Sequence, residues 1–303
     1  MSKKKFIRGV IKVFGRLPLS VHYFNAHIIG WIARVVVHYR SKVVKANIDA
    51  SFPELSEKER KKIYKGFYLH FGQIVCETVW FGASKGKRLY RSNIVNVVNP
   101  EETARLASLD TKGTIVMCAH VGNWEVYGGF PFYNHKDANY VLNYDNTGVV
   151  YRRVKDPEWD KVFAENRLNC CEKEYNNYVE SAGILRHILQ NMDKKIFYFM
   201  ISDQWPYFKA PSYINVNFMG QNTVTMSGGA VVAHKYGMAV SYLSVTRRNN
   251  SKKYDYEFKP ICDNAKDMSV QEIMDRYYKL IEDDIRKDPA NYLWSHKRWK
   301  NLR

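Results

Sequence analysis

The sequence predicts an α/β fold, a mainly parallel central sheet flanked by helices, and three observations predict it. Residues 114–119, 196–201 and 239–245 are short, continuous apolar runs, the pattern of strands buried on both faces. Helix-like stretches at 178–191 and 228–236 lie between them. Strand and helix alternating at this spacing imply crossover connections, and crossovers make neighbouring strands parallel. There is no internal repeat and no linker that would split the body of the chain. With 46% apolar and 25% charged residues and no low-complexity tract, 303 residues can bury a substantial core, so general disorder is excluded. A mean hydropathy of −0.44 excludes a polytopic membrane protein.

The amino terminus predicts a basic amphipathic helix. Lys4, Arg8, Lys12 and Arg16 recur at every fourth residue, with Lys3 and Lys5 beside them, while Ile7, Val10, Ile11 and Phe14 follow helical spacing on another face. Such a helix suits an anionic lipid interface. No cleavable signal is apparent, because the apolar region is interrupted and no small-x-small site follows it. After Leu17-Pro18, residues 19–37 are mostly apolar but carry His22, Asn25, His27 and Arg34. A membrane span needs about 20 mainly apolar residues, which makes this stretch marginal. Residues 6–37 therefore read as two membrane-contacting helices that lie in one leaflet or dip into it, with a full span still open. The division is residues 1–39 as a membrane-associating helical segment and 40–303 as the domain that carries the chemistry.

Beyond Arg40, Ser56 and Glu59 form a capping box that opens a helix through Ile63, Phe67, Phe71 and Val75, broken at 82–86. A second box, Ser269 and Glu272, opens the last helix. Val270, Ile273, Met274, Tyr277, Ile281 and Ile285 follow at helical spacing, and Pro289 stops it.

Lys and Arg number 47 against 30 Asp and Glu, a net charge of +17 that implies an acidic partner: nucleic acid, an anionic membrane face or an acidic protein. No nucleic-acid-binding motif accompanies the charge, so nucleic acid is not expected. The five cysteines include no CxxC pair, which supports neither a zinc site nor a disulfide framework. Adjacent Cys170 and Cys171 would bridge only with strain. Free thiols in a reducing compartment are expected, with no metal and no cofactor.

Ligands of open α/β sheets bind beyond the carboxyl ends of strands. Two predicted strand ends carry ionisable residues: His120-Val121-Gly122-Asn123-Trp124-Glu125 and Ser202-Asp203-Gln204. On a continuous helix His120 and Glu125 would be turned about 140° apart. If Gly122 bends the chain and Asn123 caps a new helix, the Glu125 carboxylate can fold back onto the imidazole. One ring nitrogen would then be fixed and the other left to take a proton from a hydroxyl or amine. A purely structural His–Glu pair has the same spacing.

His120-Val121-Gly122-Asn123-Trp124-Glu125 resembles the His-x4-acid motif of the lipid A late acyltransferases, the lauroyl- and myristoyl-transferring enzymes of Gram-negative bacteria. Four further elements occur in the family's order. Asn47-Ile48-Asp49-Ala50-Ser51-Phe52-Pro53 is similar to its Asn-Leu-x-x-x-Phe-Pro. Tyr151-Arg152 is similar to its Tyr-Arg-Pro, with Arg153 in place of proline. Ile184-Leu185-Arg186 precedes a strand that ends in Asp203-Gln204. Residues 292–300 resemble Tyr-x-Trp-x-His-x-Arg-aromatic-Lys. The resemblance covers nearly the whole chain and implies a glycerol-3-phosphate-acyltransferase-like fold.

The same resemblance implies acyl transfer from a thioester, on acyl carrier protein or as acyl-CoA, to a lipid hydroxyl at the cytoplasmic face of the inner membrane. The acceptor it implies is a lipid A precursor, with an aminolipid or another lysolipid as the alternative. His120 would be the general base and Glu125 its orienting carboxylate. Asp203 would anchor an arginine, best Arg167, with Arg152 and Arg153 competing because the stretch after His120 is longer than usual. Asn123 and Arg152 join Arg167 and Asp203 as candidate substrate-binding residues. His234 and Gly228-Gly229 read as structural.

Overall fold

The computed structural model describes residues 3–171, 174–206, 212–248 and 251–299. Two helices, α1 (Lys3–Phe14) and α2 (Leu19–Trp31), open the chain, and α2 runs on through a π-helical turn at Ile32–Val36. A turn that holds both His38 and Arg40 at φ 51° leads into α3 (Ser41–Ser51). The Ser56–Glu59 capping box is formed, and it starts α4 (Glu57–Phe81). After α5 (Gly86–Ser92), β1 (Val95–Val97) and α6 (Pro100–Ser108) comes β2 (Thr114–Cys118), buried along its whole length.

A short 3-10 helix at Trp124–Gly129 follows β2, then β3 (Thr147–Tyr151) and α7 (Pro157–Leu168). The helix expected over 178–191 is instead a short strand, β4 (Tyr178–Glu180), and a short helix, α8 (Ile184–Gln190). Gly183 stands between them and precedes the helix without a side-chain cap. Next come β5 (Phe197–Ile201) and an unanticipated hairpin of β6 (Tyr213–Phe218) and β7 (Gln221–Met226). Met219 and Gly220, both at positive φ, make the hairpin's tight turn, whose twist matches the strands it joins. The chain finishes through α9 (Gly228–Tyr236), β8 (Ala239–Arg247), β9 (Tyr254–Cys262) and α10 (Val270–Lys287), the last opened by the Ser269–Glu272 box.

The central sheet has seven strands in the order β1-β9-β8-β2-β5-β3-β4. β8, β2, β5, β3 and β4 are mutually parallel, and β9 runs antiparallel to β8. β9 alternates inward Tyr254, Tyr256 and Phe258 with outward Asp255, Glu257 and Lys259, so one of its faces is wet. The central strands are mainly apolar because both of their faces are covered. β2 and β5 lie side by side with Cys118 opposite Ile201. That register brings the two ionisable strand ends together.

The amino-terminal helices are packed onto this body. A methyl group on Gly30 or Gly72 would collide with the backbone of Tyr68 or Ala26, so α2 and α4 touch almost backbone to backbone. Arg8 of α1 pairs with Glu165 of α7 at 3.0 Å, so at least one cation of the basic stripe faces the protein. The side chains of Lys3, Lys4, Lys5, Ile7 and Val10 lie outside those described. Among the described residues no helix is long and apolar enough to cross a membrane.

Candidate active site

The backbone after β2 is fixed from behind. Gly122 adopts φ +69°, and a Cβ there would sit 2.4 Å from Val245 Cγ1, so both conformation and space require glycine. The carboxy-terminal tail clips onto the same loop: Gly122 N–H donates to Asn291 O at 2.9 Å, and Leu293 N–H donates to His120 O at 3.0 Å. Asn123 caps the 3-10 helix as expected, its Oδ1 accepting from Glu125 N–H at 3.0 Å.

His120 and Asp203, each two residues beyond a neighbouring parallel strand, face one another. The His120 Nδ1 atom lies 2.6 Å from Asp203 Oδ1, and the His120 backbone N–H donates to Asp203 Oδ2 at 3.1 Å. The Gln204 side-chain nitrogen lies 2.9 Å from His120 Nε2, and the Trp124 ring packs edge-on against the imidazole at 4.7 Å. Asp203 is only 1% exposed. Burial pushes its carboxyl up, but the charge and hydrogen bonds of His120, with Arg298 close by, outweigh burial and hold it below its ordinary value. A carboxylate on Nδ1 selects the tautomer with a proton there, which leaves the Nε2 lone pair as the base.

This corrects the expected pairing. Glu125 does not reach the imidazole, because the 3-10 helix turns it toward α7. There Arg167 Nε and Nη2 donate to its two oxygens at 2.7 and 2.9 Å, a bidentate fork, and Arg167 Nη1 donates to Tyr178 OH at 3.3 Å. Burial works against the guanidinium charge, but Glu125 more than offsets it and the pKa of Arg167 is raised. Asp203 and Arg167 thus have partners exchanged relative to expectation, since β2 and β5 are neighbours whereas Arg167 approaches from α7. Arg152 and Arg153 are exposed beyond β3, where Arg153 lies 3.4 Å from Glu180. Asn123, expected to touch substrate, is fully buried, and both ends of its amide are bonded inside the protein.

The strand-end reading missed two residues of the tail. Arg298 is 1% exposed, donates to Val224 O and Tyr278 OH at 2.7 Å each, and lends positive charge to Asp203. Burial lowers the pKa of His296 to about 4, with His120, Arg298 and Arg40 adding to the effect against an opposing Asp203. The charged pattern of residues 292–300 was visible, but only the fold shows that it runs behind the strand ends. Among the described residues no cluster of three His, Cys, Asp or Glu could hold a metal ion.

A buried carboxylate–imidazole pair thus stands at the carboxyl ends of adjacent parallel strands, an arrangement chemically able to move a proton on a hydroxyl or amine. Residues 5–301 match the bacterial lipid A biosynthesis acyltransferase family, and the chain belongs to it. It is an acyltransferase. Over 296 residues, covering 96% of this chain and 89% of the relative, it is 24% identical to the lipid A biosynthesis palmitoleoyltransferase of Escherichia coli strain K12. The lipid A biosynthesis acyltransferase of Shigella flexneri has the same identity and coverage. A lauroyltransferase of lipid A biosynthesis from the same Escherichia coli strain is 22% identical over 303 residues, with 96% and 89% coverage.

Proposed function

We propose that this acyltransferase moves a fatty acyl chain from a thioester, on acyl carrier protein or as acyl-CoA, to a hydroxyl of a lipid A precursor. The observation that carries the reading is the His120–Asp203 pair, which leaves one imidazole nitrogen as a base. His120 Nε2 takes the proton of the acceptor hydroxyl, and the oxygen adds to the thioester carbonyl. The tetrahedral intermediate expels the thiolate, which receives the proton from the imidazolium. Asp203 orients the ring throughout and stabilises its charged form. Gln204, whose amide meets Nε2, gives way to the acceptor hydroxyl. Arg167, held by Glu125, supplies a fixed positive charge for the developing oxyanion.

Residues 1–39 dock the enzyme on the cytoplasmic face of the inner membrane, and residues 40–303 carry the chemistry. Val21, Phe24, Ile28, Trp31, Ile32 and Val35 form an exposed apolar stripe along α2 and its π-helical turn, and Val13, Phe14 and Leu17 continue it on and just after α1. With its π-helical turn α2 reaches about 25 Å, still short of a hydrocarbon core about 30 Å thick, and among the described residues no helix is long and apolar enough to cross a membrane, so we read insertion into one leaflet. The experiment is mass spectrometry of lipids from cells that lack the protein, restored by the wild type and not by His120→Ala. Lipid A missing one secondary acyl chain is the expected result. An aminolipid or lysolipid missing its chain would reassign the acceptor, and no acyl change in any lipid would overturn the reading.

A further inference from the structure

Behind the His120–Glu125 loop, α4 presents His70, Gln73 and Glu77 at helical spacing on one stripe. Glu77 is 0% exposed and makes no ion pair among the described residues. It is surrounded by donors. Gln73 Nε2 donates to Oε1 at 2.8 Å, while Asn123 Nδ2 and the Tyr254 hydroxyl donate to Oε2 at 2.9 and 3.0 Å. The Tyr23 hydroxyl, from α2, donates instead to Lys252 O at 3.3 Å, and the same carbonyl accepts from Gln73 Nε2 at 2.6 Å.

A carboxylate enclosed by neutral donors is a costly way to fill a core, because apolar packing would avoid its desolvation. What a carboxylate does in its ionised form, here above about pH 7, and no apolar group or amide can do, is accept from every side. Facing it, Asn123 must point its Nδ2 inward, and its Oδ1 then points to Glu125 N–H at 3.0 Å. Tyr256 OH holds the Asn123 carbonyl at 3.3 Å, and His70 Nε2 lies 3.2 Å from Gly122 O. Were the Asn123 amide to flip, its NH2 would meet the Glu125 N–H donor to donor. The 3-10 helix that aims Glu125 at Arg167 would lose its cap.

We infer that Glu77 is a positioning residue for acyl transfer. Through Asn123 it fixes the Glu125–Arg167 pair. This rests on the acyl-transfer reading proposed above. Glu77 itself lies too deep to meet substrate. It acts by holding one amide in one orientation.

The test uses the full-length protein in mixed micelles and compares Glu77→Gln, Asn123→Asp and the double variant E77Q/N123D. Glu77→Gln places an NH2 against donors and lowers kcat by about 10–100-fold with KM within about twofold. The double variant reverses the polarity of the bond: the new amide on α4 donates to the new carboxylate in the loop, which still caps Glu125. It recovers at least tenfold of the loss. Hydrogen exchange gives a readout independent of activity: in Glu77→Gln the peptide 119–130 exchanges faster, while α10 does not change. Tyr254→Phe removes one donor and leaves the carboxylate and its other donors in place. It shows the same directions at smaller amplitude, which keeps the inference testable if Glu77→Gln fails to fold. Wild-type protein without transfer activity would sink the acyl-transfer reading and leave the exchange result to judge the positioning role. Active wild type with unchanged kcat in Glu77→Gln, or unchanged exchange at 119–130 in a folded variant, would overturn the inference.

Discussion

The helices α2 and α4 lie against each other, and each inverts the usual polarity in the opposite direction. α2 turns its large apolar residues outward, with Phe24 68% and Trp31 52% exposed, and buries Ala26, Gly30 and His22. α4 turns Glu77, Gln73 and His70 inward. An outward inversion leaves apolar surface to be covered by something other than the fold, and lipid is the proposed cover here. An inward inversion leaves no surface to cover. It consumes every polar group in holding another segment, here the loop that carries His120 and Glu125. The two kinds of irregularity are therefore tested differently, the first by removing the membrane and the second by kinetics.

The largest effect is expected at the strand ends. His120→Ala should cut kcat by about 10²–10⁴-fold, the usual worth of a general base, without unfolding the protein. Asp203→Ala should approach that loss and also lower the melting temperature, because Arg298 is left without its buried counter-charge. Arg167→Lys should lose activity as well, since an ammonium cannot reproduce the two-point contact with Glu125. Near-normal turnover of His120→Ala in a purified assay would remove the mechanism altogether.

An intermediate effect is expected at α2. A triple Phe24→Glu, Ile28→Glu and Trp31→Glu variant touches only exposed side chains, so its melting temperature in solution should change little. Each apolar side chain withdrawn from lipid forfeits about 1.5–3 kcal/mol, and three together should move the protein from the pelleted to the free fraction in vesicle sedimentation. High salt alone should weaken attachment of the wild type but leave some bound, because screening acts only on the basic residues. Full retention of the triple variant on vesicles would place the membrane contact elsewhere.

How much of this could be read in the sequence depended on the range of the interactions. Strands β2, β5 and β8 were legible because burial on both faces leaves a short, mainly apolar run. α4 and α10 were legible because their capping boxes are local hydrogen bonds between residues three apart. β9 carries a period-2 signal, and β4 and α8, of three and seven residues, are each too short for periodicity to separate them. Partner choice at the site was not legible. Glu125 is close to His120 in sequence and Asp203 is far, yet the register of two parallel strands outranks sequence distance. Glu77 could not be found at all: an acid near the end of a long helix looks like part of a solvated face until the fold encloses it.

The smallest effect concerns pH, and it tests the inward polarity of α4. Burial, with Arg247 nearby, lowers the pKa of His70 from 6.5 to about 4 against the opposing pull of Gly122 O and Asp288. The folded state therefore binds its proton less readily than the unfolded chain. Stability from this group is complete above pH 6.5 and is lost as pH falls toward 4, by about 3 kcal/mol at most. His296 has the same sign over the same window. Glu77 opposes both: its pKa is raised from 4.5 to about 7, chiefly by burial, so the folded state gains stability as pH falls from 7 to 4.5. The wild type should then show a modest net loss of stability between pH 6.5 and 4. His70→Gln, whose amide can still donate to the Gly122 carbonyl, should flatten that profile, and Glu77→Gln should steepen it. Urea-unfolding midpoints at half-unit pH steps would read the two slopes. Equal slopes in both variants would mean that the stripe is hydrated, not dry, and that α4 does not invert its polarity.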